Sequence, residues 1–154
     1  MIDTPKIVTS PAREAATVHL TVPRSEIRKV MGPGLQEVHA AVAAQGMTPA
    51  GPWFTHHLRM DPKVFDFEIC VPVSSPVAAN GRVTAGVLKS RKVARTVYTG
   101  GYEGLGEAWG ELQAWVEAQG RKPAPDLWEV YLEGPETGKD PGSYRTELNQ
   151  PLTD

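Results

Sequence analysis

Two stretches of the chain, 74 positions apart, share a spacing pattern: residues 120–133 read GRKPAPDLWEVYLE, and residues 46–59 read GMTPAGPWFTHHLR. Aligned without a gap, both begin with Gly-x-x-Pro-Ala and continue into a segment rich in aromatic and β-branched residues. The informative pairs in this alignment are Phe54 with Trp128, Thr55 with Glu129, His57 with Tyr131, and Leu58 with Leu132. Self-similarity of this kind indicates an internal duplication.

The residues around each stretch extend the duplication to a whole structural unit. Alternating apolar and polar residues predict strands, and apolar residues every three to four positions predict helices. The first repeat is predicted to contain a strand over 15–22, a helix over 35–45, and strands over 53–60 and 65–73. The second is predicted to contain a strand over 92–99, a helix over 102–119, and strands over 127–133 and 144–152. Gly32-Pro33-Gly34 is expected to lie before the first helix, because both residue types interrupt helices.

Two strand–helix–strand–strand (βαββ) units predict one α+β domain over residues 1–154. We expect an antiparallel sheet with two helices on one face and a ligand cleft between the repeats. The predicted boundaries are about 12–75 for the first repeat, 76–86 for the linker and about 87–152 for the second repeat.

The composition excludes several classes of function. Hydrophobic residues make up 40% of the chain, charged residues 22%, and the formal net charge is -2. This is ordinary globular usage with no basic footprint, so we expect no nucleic-acid partner. No stretch approaches the ~20 apolar residues of a membrane helix, and residues 1–12 lack the apolar core of a signal peptide. With Cys70 as its single cysteine, the chain is expected to be cytoplasmic and to have no membrane partner.

Metal and cofactor sites are not predicted. His56 and His57 are neighbours in a strand, so their side chains point to opposite faces and cannot hold one metal ion together. The glycines of 101–106 lack the spacing of a dinucleotide-binding turn and are interpreted as a strand-to-helix turn. Cys70 lies in an apolar β-rich run and is interpreted as a core residue.

The strand at 126–133 holds the candidate functional residue. Alternation places Trp128, Val130 and Leu132 on one face, which we expect to pack under a helix. The other face then presents Glu129 and Tyr131 and is expected to be free. Alternation alone leaves two interpretations of Glu129 open, a solvent-exposed side chain or the wall of a cleft.

Three short motifs, in this order along the chain, resemble a known family. They are Tyr98-Thr-Gly-Gly101-Tyr102-x-x-Leu105, Trp128-Glu129-Val130-Tyr131-Leu132 and Tyr144-Arg145-Thr146-Glu147-Leu148. Together with the duplication, they resemble the GyrI-like small-molecule-binding domain, which also serves as the effector-binding part of AraC-type and MerR-type multidrug-sensing regulators. The resemblance spans residues 12–152.

The resemblance implies a site for hydrophobic, aromatic or cationic small molecules, such as drugs or toxic metabolites, with no cofactor. The family's acidic ligand-binding residue corresponds to Glu129, and the aromatic residue that opens the last strand corresponds to Tyr144. The residues expected to line the pocket with them are Tyr131, Trp53, Thr55, His57 and Phe65. Aromatic walls attract a cation without requiring one ligand shape, so the site is expected to be promiscuous.

The sequence departs from the family in two respects. A Glu133-Gly134-Pro135 turn replaces the common Asn-Asp-Pro turn, which puts the contribution of that loop in doubt. Only eleven residues precede Ala12, too few for a helix-turn-helix segment, so the stand-alone form is expected. The natural ligand, the oligomeric state and any protein partner, such as the gyrase suggested by the family name, stay open.

An enzyme is the alternative that the same resemblance implies. Some stand-alone relatives resemble hydrolases that open the strained ring of cyclopropanoid cyclohexadienone genotoxins. A Glu–Tyr pair suits that reaction, because a carboxylate can activate water while a phenol hydrogen-bonds the developing phenolate. Glu129 with Tyr131 or Tyr144 would be the catalytic residues.

Overall fold

The computed structural model describes residues 1–153 as eight strands and two α-helices. The strands are β1 (Lys6–Ser10), β2 (Arg13–Pro23), β3 (Phe54–Met60), β4 (Val64–Pro72), β5 (Thr84–Leu88), β6 (Arg91–Thr99), β7 (Leu127–Glu133) and β8 (Arg145–Pro151). The helices are α1 (Ile27–Ala44) and α2 (Leu105–Ala118), each preceded by one turn of 3-10 helix. The strands within the sheet pair antiparallel, which confirms the predicted α+β class.

The chain divides into two compact units, each of which contains one strand–helix–strand–strand succession. The first-repeat unit, residues 11–90, has the strand order β3–β4–β2–β5, with α1 against β2 and β4. The second-repeat unit, residues 1–10 and 91–153, has the order β7–β8–β6–β1, with α2 against β6 and β8. Position by position the two orders are equivalent, since in both the strand before the helix lies beside the last strand of the βαββ unit.

Local backbone geometry is duplicated as well. Gly46 and Gly120 each follow a helix with φ of 73°, a left-handed conformation that glycine adopts without steric cost. Both β3 and β7 contain a register shift, between His57 and Arg59 and between Tyr131 and Glu133. Two backbone hydrogen bonds of 2.8 Å are also equivalent: Ala50 N to Pro72 O, and Ala124 N to Pro151 O. The Gly-x-x-Pro-Ala motif therefore forms the same connection twice.

Each unit has its own apolar core between its helix and its strands. Buried residues of the first-repeat core include Val18, Val38, Val42, Phe67, Ile69 and Val71. Buried residues of the second-repeat core include Ala94, Tyr98, Leu112, Val116, Leu148 and Leu152. The helical residues recur at intervals of four, so each helix buries one stripe against its sheet.

The expectation that Gly32-Pro33-Gly34 precedes the first helix is wrong, because all three residues lie inside α1. Proline in a helix interior costs about 3 kcal/mol, yet the first turns of α1 place Ile27 and Met31 against the core. Gly34 also meets a packing need, because a Cβ there would lie 2.6 Å from Ile69 Cδ1. Tertiary packing therefore overrides the local preference.

The edge strands β1 and β5 were not predicted as strands. Most of β5 lies in the segment interpreted as a linker, and β1 lies before the first predicted element. Each has only five residues and is held by one neighbouring strand, β6 or β2. Strands this short contain too few residues for a distinct alternation.

Neither α-helix within residues 1–153 combines the length and the apolar composition needed to cross a membrane.

Candidate ligand-binding site around Glu129

Glu129 lies on the face of β7 that is turned towards α2. It is directly opposite Leu148 of β8, a core residue beneath α2, and residues opposite each other in antiparallel strands share a face. The expectation that Glu129 lies on a free face is therefore wrong. Residues 127–131 are all buried, so alternation in this strand does not separate a covered face from an exposed one.

The Glu129 carboxylate accepts hydrogen bonds from two aromatic side chains. Trp109 Nε1 of α2 donates to Oε2 at 2.6 Å, and Tyr131 Oη of the same strand donates to Oε1 at 2.7 Å. Both distances are in the short range expected for bonds to a charged acceptor. Because four lone-pair directions are available on a carboxylate, each oxygen can accept a further donor.

Glu129 has no cationic partner within the described residues. Its side chain is 8% exposed, and no Lys, Arg or His of residues 1–153 forms an ion pair with it. Burial raises the pKa of Glu129 because a charged carboxylate loses its hydration, and the hydrogen bonds from Trp109 and Tyr131 oppose that rise. The Glu129 carboxyl group is thus surrounded by neutral hydrogen-bond donors alone.

The raised pKa predicts the pH dependence of stability. Folded Glu129 keeps its proton to higher pH than unfolded Glu129, so stability falls as the pH rises from the usual Glu pKa of about 4.3 through the raised pKa. Glu129→Gln removes this titration. The free energy of unfolding of the variant, relative to that of the wild type, should therefore be higher at about pH 8 than at about pH 4. Urea denaturation at the two pH values measures the difference.

Glu133→Gln is the matched control on the same strand. Lys139 Nζ donates to Glu133 at 2.7 Å and lowers the pKa of Glu133. Glu133 therefore contributes to the pH dependence of stability with the opposite sign. The stability that this pair contributes is present above the usual Glu pKa and is lost as the pH falls through the lowered one. Equal free-energy changes for Glu129→Gln at both pH values would contradict the raised pKa.

Three tyrosines of the second-repeat unit form a chain of ring contacts that begins next to the carboxylate. The ring of Tyr102 lies 6.0 Å from that of Tyr131, edge to face, and 5.4 Å from that of Tyr144. Tyr102 is 37% exposed, and burial raises its pKa to about 12, with Glu136, Tyr144 and Glu129 adding to the shift. The three rings therefore form one chain of contacts that starts at Tyr131, the tyrosine bonded to Glu129, and the phenol of Tyr102 stays protonated at neutral pH.

Trp109 and Tyr102 were not among the residues predicted for the site. Trp109 continues the apolar stripe of α2, a pattern that by itself indicates a core residue. Its ring does pack against the core, but its Nε1 binds Glu129. Tyr102 is part of the family motif, but no role was predicted for it. Its position directly after Gly100-Gly101 is the feature of the sequence that could have identified it.

Three residues predicted from the first repeat also contact one another. Thr55 Oγ1 lies 3.3 Å from His57 Nε2, and the ring of His57 meets that of Phe65 edge to face at 5.7 Å. His57 also stacks on Phe67 at 5.3 Å. Burial lowers the pKa of His57 to about 4, with smaller contributions from His56 and Arg24, so the imidazole is neutral at neutral pH.

The surroundings of this first-repeat cluster are cationic or apolar. The guanidinium of Arg24 lies 4.3 Å from the centre of the Phe65 ring. Trp53 is half-buried and packs against the core beneath α1. The equivalent positions of the two units therefore differ in charge, with a carboxylate at Glu129 and a neutral hydroxyl at Thr55.

A separate groove of about 270 Å³ opens beside β1 and β6 and is lined by Lys6, Arg95 and Thr96 among others. Arg95 is already engaged, because its Nε donates to Asn149 Oδ1 at 2.6 Å and lies 3.5 Å from Glu147. No residue predicted for the ligand site lines this groove. Within residues 1–153, no group of three or more His, Cys, Asp or Glu side chains could hold a metal ion.

The sequence matches the profile of the GyrI-like small molecule binding domain over residues 3–153. The chain belongs to this family. The match covers both repeats, so the predicted resemblance is confirmed for nearly the whole chain. No curated protein matches the GyrI-like chain.

Three proteins of known structure share the fold of this GyrI-like chain. EcmrR, in its complex with DNA, is 24% identical with a TM-score of 0.85, and the match covers 99% of this chain but 58% of EcmrR. The isolated C-terminal domain of EcmrR is 24% identical with a TM-score of 0.86, and the match covers 98% of this chain and 98% of that domain. This chain thus spans little more than half the length of EcmrR.

The other two neighbours are more distant. SAV2435, solved with bound tetraphenylphosphonium, is 13% identical with a TM-score of 0.71, over 98% of this chain and 94% of its own. A hydrolase from Listeria innocua is 12% identical with a TM-score of 0.65, over 97% of this chain and 91% of its own.

Proposed function

We propose that this GyrI-like domain binds hydrophobic, aromatic cations and that Glu129 compensates their positive charge. The observation that carries the proposal is the buried Glu129 carboxylate, which accepts hydrogen bonds from Trp109 and Tyr131 and has no cationic partner among residues 1–153. An ionised carboxylate in such a place is costly, and a bound cation offsets the cost.

The aromatic cluster supports a ligand that is both cationic and aromatic. Tyr131 binds the carboxylate, and its ring begins a chain of contacts that continues through Tyr102 to Tyr144. A cation over an aromatic face gains about 0.5–2 kcal/mol, and the gain does not depend on one ligand shape. This supports drugs or toxic metabolites of varied structure as ligands.

Trp53, Thr55, His57 and Phe65 of the first repeat stay predicted ligand contacts. His57 is neutral at neutral pH and meets the ring of Phe65 edge to face, so it carries no charge that would repel a cation. We further propose that the domain itself makes no nucleic-acid contact, since the chain has a net charge of -2.

The first test is a titration with tetraphenylphosphonium, the cation bound to SAV2435. Binding should be saturable at micromolar concentration in calorimetry. Triphenylphosphine oxide, a neutral compound with three of the same four phenyl groups, serves as the control at concentrations within its low solubility and should bind at least about 10-fold more weakly. Equal affinity for the two would contradict a role for charge.

The pH dependence of this binding has a predicted sign. The affinity for tetraphenylphosphonium should fall as the pH is lowered, because protonated Glu129 attracts no cation. The fall should begin above the usual Glu pKa of about 4.3, since burial raises the pKa of Glu129. Titrations at several pH values measure the midpoint, and a constant affinity down to about pH 4 would contradict the prediction.

A hydrolase is the second candidate, and the burial that raises the pKa of Glu129 favours it, because a more basic carboxylate is a better general base. Glu129 would take a proton from water while the water oxygen bonds to a cyclopropane carbon of a cyclohexadienone substrate. The broken C–C bond leaves its electron pair on the substrate, whose carbonyl becomes a phenolate. A tyrosine phenol would stabilise the phenolate oxygen of the substrate by a hydrogen bond. The proton on Glu129 would finally pass to that phenolate oxygen. Because the hydroxyl of Tyr131 binds Glu129, Tyr144 is the better oxyanion donor.

The hydrolase proposal is tested by incubation with a cyclopropanoid cyclohexadienone and detection of the water-added product by mass spectrometry. Turnover should exceed that of Glu129→Gln by about 100-fold or more, as for loss of a general base. Equal product in the two proteins would leave binding as the function.

A further inference from the structure

The hydroxyl of Thr146 is an unusual polar atom in the second-repeat unit. Thr146 in β8 is fully buried, at 0% exposure, and its Oγ1 has no hydrogen-bond partner within residues 1–153. A buried donor or acceptor without a partner costs about 1–3 kcal/mol. Such an atom is rare in folded proteins and requires an explanation.

Thr96 shows how a buried threonine of the same sheet is normally satisfied. It lies on the neighbouring strand β6, is 3% exposed, and its Oγ1 donates to the backbone oxygen of Asp3 at 2.7 Å. The two threonines therefore share residue type, sheet and burial. They differ in that the hydroxyl of Thr146 is left for a group that the protein does not supply.

The position of Thr146 connects it to the Glu129 site. It lies directly opposite Tyr131 on β7 and directly opposite Tyr98 on β6, so the three side chains share the face turned towards α2. Glu129 lies two residues before Tyr131 on that face, which makes it a diagonal neighbour of Thr146 at about 7–8 Å. One small molecule can therefore meet both groups.

Tyr102 is the exposed member of the aromatic chain next to this position. It is the most exposed tyrosine of the chain, at 37%, and its ring contacts that of Tyr131, which lies directly opposite Thr146. It belongs to a 3-10 turn of three residues, Tyr102–Gly104, rather than to a regular helix. A change of side-chain rotamer is a common adjustment on ligand binding, so Tyr102 is a side chain that can move when a ligand enters.

We propose that Thr146 Oγ1 is a hydrogen-bonding subsite that selects aromatic cations carrying a second polar group, such as a hydroxyl, several Å from the charge. Glu129 takes the charge, and Thr146 takes the polar group as donor or acceptor. This inference rests on the proposed function and adds a specificity-determining residue to it. Purely hydrocarbon cations bind at Glu129 but leave the Thr146 hydroxyl unsatisfied.

The test compares tetraphenylphosphonium with its 3-hydroxymethyl and 4-hydroxymethyl derivatives on one ring, which keep the same charge because a benzylic hydroxyl does not titrate, and which have nearly the same shape. The wild type should bind at least one hydroxylated isomer about 3- to 10-fold more tightly, as for one hydrogen bond. Thr146→Val should remove this preference and keep the affinity for tetraphenylphosphonium within about twofold. Thr146→Ser, which keeps the hydroxyl, should retain the preference.

A second measurement needs no ligand. Thr146→Val should raise the Tm of the free protein by about 2–4 °C, because valine has the shape of threonine but lacks the unpartnered polar atom. Thr96→Val is the matched control and should lower the Tm, because it leaves a bonded partner unsatisfied. A lower Tm for Thr146→Val would show that the hydroxyl is already partnered and would overturn the inference.

The outcomes separate this inference from the proposed function. If Thr146→Val keeps the preference for a hydroxylated cation, or the wild type has none, the subsite is wrong while cation binding stands. If none of the three phosphonium ions binds the wild type, the proposed function fails and the subsite fails with it.

Discussion

Glu129→Gln is expected to weaken the binding of tetraphenylphosphonium by about 30-fold or more. Truncating one partner of a buried charge pair costs about 2–5 kcal/mol, and 1.4 kcal/mol is a factor of ten in affinity. Glutamine keeps the shape and can keep both hydrogen bonds. Its Oε1 can accept from Trp109, and its Nε2 can donate to the oxygen of Tyr131. The loss then reports charge rather than a collapsed site, and calorimetry of the two proteins measures it.

Glu133→Gln is the control for this experiment. Glu133 is on the same strand, but it binds Lys139 at the surface, so its replacement should leave the affinity within about twofold. Circular dichroism should show both variants folded. An affinity of Glu129→Gln equal to that of the wild type would remove Glu129 from the ligand site.

Leu148→Ala is expected to lower the free energy of unfolding by about 2–5 kcal/mol. Leu148 is fully buried beneath α2 and lies directly opposite both Thr96 and Glu129. Truncation would leave a cavity on the face that supports the carboxylate, and the strands around it are held by antiparallel pairing and cannot fully collapse. At about 2–4 °C per kcal/mol, the Tm should fall by about 4–20 °C in thermal denaturation.

Ile69→Ala is the equivalent change in the first-repeat unit. Ile69 lies directly opposite Thr55, as Leu148 lies opposite Glu129, and it is also fully buried. Its truncation should cost a similar amount. Met60→Ala, at a side chain that is 55% exposed, should change the Tm by less than about 2 °C. A Tm for Leu148→Ala as close to the wild type as that of Met60→Ala would contradict the assignment of Leu148 to the core.

Residue order alone determined the class of fold and the duplication. The Gly-x-x-Pro-Ala motif recurs because the same left-handed glycine and the same backbone hydrogen bond close each helix–strand connection. Those are local requirements, so they leave a local signature. The strand over Leu127–Glu133 and the register shift shared by β3 and β7 follow from the same duplication.

The tertiary structure decided what local patterns do not encode. The Pro33 segment is helical because α1 packs apolar side chains against a core that includes β4, a strand that is distant in sequence. Likewise, β7 is buried from Leu127 to Tyr131, so alternation did not distinguish the face turned towards α2 from the opposite one. Burial on both faces depends on what packs there, and this is a property of the folded chain.

For Glu129, the sequence and the family resemblance selected the residue, whereas the fold determined its environment. Only the folded structure brings Trp109 and Tyr102 from one segment, and Thr146 from another, towards the strand that contains Glu129. A pKa depends on burial and on neighbours that are distant in sequence, so the raised pKa of Glu129 is a property of the folded protein. The family resemblance selected the Glu129 carboxyl group, and tertiary packing buried it without a cationic partner among the described residues.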